Sequence, residues 1–202
     1  MSMGFLTDYV QSCVRYQGRV YYVNPSYDAV LNIQRMFREE EQLSQREKID
    51  MALAILIDNN KAVSKLTGSE RIQLLELIYQ EHISLKERPR VGKSRKLVDF
   101  EEDGELIYAS FLQDYGMDLI ELQGKLSWKK FIALFEGLRE KTKIKEVMRI
   151  RGMELPMPTK YNQKEIQQIQ ELKMYYALPV KGEGGNALDL LFSTLEQMAE
   201  KR

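Results

Sequence analysis

One cysteine and one histidine among 202 residues leave little room for several kinds of chemistry. Cys13 has no partner for an internal disulfide, so nothing in the chain calls for an oxidising compartment. With His82 the sole imidazole, neither a His-rich zinc site nor a cysteine pair can be built. Its neighbours Glu81, Ile83 and Ser84 give no HExxH pattern, and it reads as a helix-surface residue. Long apolar runs are also missing. Nothing approaches the roughly 18 consecutive apolar residues of a spanning helix. The opening MSMGFLTDYVQS lacks the basic and apolar regions of a signal peptide, so an intracellular chain with no membrane partner is expected.

Charge of either sign is not in excess. Thirty Lys plus Arg balance thirty Asp plus Glu, whereas a domain held to nucleic acid by phosphate contacts shows a basic surplus. Nucleic acid is therefore not the expected partner. The basic run KERPRVGKSRK, from Lys86 to Lys96, is the local exception. It has no aromatic residue to stack a base, and Pro89 and Gly92 oppose a groove-binding helix, so residues 86–98 read as a flexible linker.

Two motifs resemble binding loops and lack an essential residue. Gly92-Lys93-Ser94 ends like a phosphate-binding loop, but the glycine required five residues earlier is Glu87. Asp99, Glu101, Asp103 and Gly104 match the first half of a calcium loop, yet the twelfth position, where a bidentate Glu belongs, is Ser110. An acidic helix start accounts for the same residues. There is no G-x-S-x-G elbow. The sequence thus predicts no catalytic residue, no metal and no cofactor.

What is present is helical periodicity. Cys13–Gln17 and Val20–Asn24, joined at Gly18 and Arg19, predict a small hairpin. Tyr27, Val30, Leu31, Met36 and Phe37 then recur at helical intervals. Ser44 with Glu47 forms a capping box for a second helix, whose centre, Met51 to Ile57, is apolar all round and reads as a buried middle. Thr67-Gly68-Ser69 opens a third. Beyond the linker, Asp99 with Glu102 predicts the cap of a helix that stops at Gly116. Ser127 precedes a stripe of Trp128, Phe131, Ile132, Phe135 and Leu138, which is either core or a partner groove. Shorter helices are expected over Lys143–Arg151 and Gln163–Tyr176.

The fold expected is mainly α, a multi-helix domain over residues 1–179 with a small N-terminal β-hairpin. In residues 180–202 the GEGG stretch reads as a joint to an amphipathic helix. Its seam is Leu188, Leu191, Leu195 and Met198, with Phe192 beside it. Either this helix folds onto the core or it docks in a partner's groove. The candidate protein-binding residues are thus Leu188, Leu191, Phe192, Leu195, Trp128, Phe131 and Phe135.

The block FEEDGELIYASFLQDYGMDLIE (100–121) followed by LSWKKFIALFEGL (126–138) resembles the bacteriophage gene-product-fifteen family. The glycine hairpin near Gly18, MRIRGMEL (148–155) and YYALP (175–179) support the resemblance, which spans roughly residues 6–179 and leaves the GEGG stretch outside. It implies a phage or prophage tail protein encoded just before the tape-measure gene, the position of tail assembly chaperones, which coat the tape-measure protein until tube subunits replace them. It carries no catalytic residues, metals or cofactors. The implied partners are phage tail proteins, the tape-measure protein foremost, in the host cytoplasm during assembly. The alternative is a structural tail component retained in the virion.

Overall fold

The computed structural model describes residues 12–58, 60–85 and 96–179. They form a mainly helical chain with one two-stranded antiparallel sheet, as the periodicity predicts. The linker residues 86–95, with the Gly92-Lys93-Ser94 motif, and the whole of 180–202 lie outside the described residues. The chain divides into two compact units: 12–85 with 124–129, and 96–123 with 130–179.

In the first unit, β1 (Cys13–Tyr16) pairs with β2 (Arg19–Tyr22) in a register that sets Val14 opposite Tyr21 and Tyr16 opposite Arg19. The two-residue loop is therefore Gln17-Gly18, one residue earlier than Gly18-Arg19. Both residues have positive φ, 48° and 74°, which gives the backbone twist that suits a tight hairpin. Val14 and Tyr21 lie on one face of the pleat and are buried. Nearer the loop, the Tyr16 hydroxyl donates to Gln73 Oε1 at 2.6 Å and Gln17 Nε2 donates to Glu70 Oε1 at 3.0 Å.

Helices α1 (Tyr27–Glu39), α2 (Gln45–Leu56), the single turn α3 (Asn60–Val63) and α4 (Gly68–Ile78) follow. Ser44 and Thr67 both make the reciprocal capping box, with Glu47 and Glu70. Each box satisfies N–H groups that the helix leaves open. Val30, Ile33, Leu53, Leu56, Leu74 and Ile78 form the centre of the packing, all at most 2% exposed. The apolar run Met51–Ile57 is not wholly buried, however: Met51, Ala54 and Ile55 are exposed while Ala52, Leu53 and Leu56 point inward. The 3.6-residue period gives even this segment an outer side. It ends where Ile57 turns extended and bridges Val23.

The return segment 124–129 completes the start of α1. Tyr27 N donates to Leu126 O at 2.9 Å, Trp128 N to Pro25 O at 2.8 Å, and Gly124 N to Asp28 Oδ1 at 2.9 Å. Ser26 at the helix N-cap makes no side-chain capping bond. A carbonyl a hundred residues away fills that role.

After α4 the chain widens into a π turn, Tyr79–Ile83, closed by Ser84 N donating to Tyr79 O at 2.7 Å. This overturns the surface reading of His82, which is only 6% exposed. The wider turn changes the angular phase, so a face assigned from the α-helical period fails here. The His82 ring lies 3.4 Å from Cys13 O through Nε2.

The second unit contains α5 (Gly104–Tyr115), most of α6 (Trp128–Gly137, whose first two residues belong to the first unit), α7 (Lys143–Gly152) and α8 (Gln163–Tyr175). Helix α5 begins at Gly104 rather than after Asp99. Asp99 instead closes a preceding turn, its Oδ1 accepting from Glu101 N at 2.9 Å and Glu102 N at 3.2 Å. Such local side-chain bonds compete with helix. Gly116, at φ 65°, ends α5 as expected, since the left-handed conformation suits glycine.

Candidate functional site

The aromatic stripe on α6 is interior. Trp128 is 5% exposed, Phe131 1% and Phe135 6%. Within the second unit, Phe131 stacks on Phe111 with ring centroids 5.3 Å apart, and Phe100 packs edge-on against Phe135 at 5.2 Å. These rings fill core and leave no face on the surface. Leu188, Leu191, Phe192 and Leu195 lie outside the described residues.

The half-site for calcium is a structural clasp. Asp103 is 2% exposed and receives both Nη atoms of Arg151, at 2.6 and 2.7 Å. The same guanidinium donates to Leu97 O at 2.9 Å and, through Nε, to Tyr176 O at 2.6 Å. This planar fork matches a carboxylate bidentately. It joins the entry to α5, the end of α7 and the end of α8. Ser110, at the position a calcium loop would give to Glu, is fully buried and bonded to Leu106 O and Ile144 N. Among the described residues no group of His, Cys, Asp and Glu is arranged to hold a metal, and no helix is long and apolar enough to cross a membrane.

The surface feature that sequence periodicity missed is the C-terminal part of this unit. No residue of α8 is buried. Met174 and Tyr175 are 79% and 80% exposed, and in the preceding segment Met157 and Tyr161 reach 85% and 98%. The C-terminal end of α8 is tied by polar contacts, the Arg151 bond to Tyr176 O and Lys173 Nζ donating to Arg151 O and Met153 O, and Ile166 and Ile169 are half-buried. Lys143 lies 5.2 Å from the Tyr176 ring centroid, and its hydrogen bond to Tyr176 raises its pKa. Polar anchoring at one end leaves large apolar side chains in water, a costly arrangement for a surface with nothing to bind. Pro156 and Pro158 were the readable clue. They keep this stretch out of regular structure.

Beside it lies a shallow groove of about 450 Å³. Leu97, Met148 and Met153 supply its apolar lining, and Lys145, Arg149 and Glu140 its charged rim. Lys145 Nζ donates to Glu136 O at 3.1 Å and lies 5.9 Å from the Phe135 ring centroid. Such an arrangement can bind an apolar segment carrying negative charge. It holds no nucleophile paired with a base.

The described fold is that of a mainly α chain with an N-terminal hairpin and an exposed apolar surface on its second unit. The chain belongs to the bacteriophage Gp15 protein family, whose model matches residues 6–178. Membership supports a general role in phage tail assembly. No curated protein and no solved structure matches it.

Proposed function

We propose that this chain is a tail assembly chaperone that binds the tape-measure protein by protein contact, without catalysis and without a cofactor, in the cytoplasm of the bacterial host. The observation that carries the reading is α8 and the segment before it. Met157, Tyr161, Met174 and Tyr175 stand at 79 to 98% exposure, and no residue of α8 is buried. Met repacks against varied partners and Tyr tolerates half-burial, which suits a surface that must hold a long helical client and later release it. The family supports the tail-assembly context.

Co-expression with the tape-measure protein tests this. The client's soluble fraction should rise with the full chain present. It should rise less with a Met157→Asp/Met174→Asp variant whose own melting is unchanged. No gain in client solubility with the unaltered chain would sink the proposal.

A further inference from the structure

On α7, Lys145 and Arg149 lie four residues apart and so share one side of the helix, and Lys141 lies in the turn before it. Lys141 and Arg149 are exposed and Lys145 is half-buried. The Arg149 side chain makes no hydrogen bond or ion pair with any described residue. Three carboxylates of the same unit are paired with other cations, Asp103 with Arg151, Asp114 with Arg139 and Glu146 with Lys143, and Asp114 also feels the charge of Lys141. Two of these cations edge the groove whose floor is Leu97, Met148 and Met153, and Glu140 is the one carboxylate that lines it.

We infer that this groove receives an acidic amphipathic helix of the client, an inference that rests on the chaperone reading above. Four residues of helix rise about 6 Å, so carboxylates spaced four apart on a facing helix match the Lys145–Arg149 interval. The apolar residues between them would lie on the methionine floor, which adapts to different side chains. Apolar lining and the Glu140 carboxylate both disfavour a polyphosphate. The chemistry selected is therefore carboxylate plus hydrocarbon, on one helix.

The test uses the full chain co-purified with the tape-measure protein and carrying a photo-crosslinking phenylalanine in place of Met148. The crosslink should map to a client segment with two carboxylates at helical spacing. Arg149→Glu should weaken client binding roughly tenfold, and added salt should weaken the unaltered complex. Glu140→Lys should tighten binding, an outcome no misfolded variant can imitate. A client that binds but is insensitive to both charge changes, or a crosslink to this chain's own residues, to a second copy or to nucleic acid, overturns the groove and leaves the chaperone reading standing. If the unaltered chain binds no client, both fall.

Discussion

Ser110, in the middle of α5, closes the start of α7. Its hydroxyl accepts from Ile144 N at 3.1 Å and donates to Leu106 O at 2.7 Å. Thr142, at the N-cap of α7, spends its own hydroxyl on Arg139 O at 2.8 Å. One of the open N–H groups of α7 is thus satisfied from a different helix. Ser110→Ala leaves that donor buried without a partner and should cost about 1–2 kcal/mol. Urea unfolding measures it, and a loss below about 0.5 kcal/mol would mean that Ile144 N finds another acceptor.

The Arg151–Asp103 clasp should be worth more when broken from one side. Side-chain exposures of 10% and 3% put the pair in the interior, and removing one partner strands the other charge. Arg151→Ala should destabilise the second unit by about 3–5 kcal/mol. Arg151→Lys should not restore it, because an ammonium cannot reach Asp103, Leu97 O and Tyr176 O together. Chemical denaturation followed through the second unit tests both, and full rescue by lysine would show that charge alone matters.

His82 makes stability depend on pH. Burial depresses its pKa, so the fold favours the neutral ring. The unfolded chain titrates near 6.5 and takes up the proton first as pH falls. The contribution is therefore complete above about pH 6.5 and is lost progressively below it, down to the folded pKa. With one histidine in the chain, its ring resonances in an NMR titration are unambiguous. A midpoint above 6.5 would contradict the buried, neutral assignment.

Trp128 is 5% exposed, and its backbone N–H holds Pro25 O at 2.8 Å. Trp128→Ala should cost about 3–5 kcal/mol, the range for truncating a buried aromatic. A thermal or urea midpoint close to that of the unaltered chain would place the ring outside the core.

What could be read from sequence was what a few neighbouring residues decide. The capping box at Ser44, the helix start at Thr67, the glycine stop at Gly116 and the helical stripe on α6 all depend on spacing within one or two turns. The hairpin was legible too, but its loop slipped by one residue because Gln17 adopts the positive φ that Gly18 alone was expected to supply. Long-range partners were not legible. Leu126 capping α1, Ser110 capping α7 and Arg151 drawing Asp103 away from a simple helix cap are decided by tertiary contacts. Of the site, spacing alone left Trp128, Phe131 and Phe135 between core and partner groove, and it did not give the exposure of Met157 and Met174, because periodicity does not say that α8 buries none of its residues.

The central claim is that this chain serves assembly and leaves before the tail is finished, and quantitative mass spectrometry tests it most directly. Purified phage or prophage particles and the lysate they came from should be compared for this chain and the tape-measure protein. The account predicts this chain alongside the tape-measure protein in the lysate complexes and absent from finished tails. Stoichiometric copies in the purified tails would contradict it and make the chain a structural component of the virion.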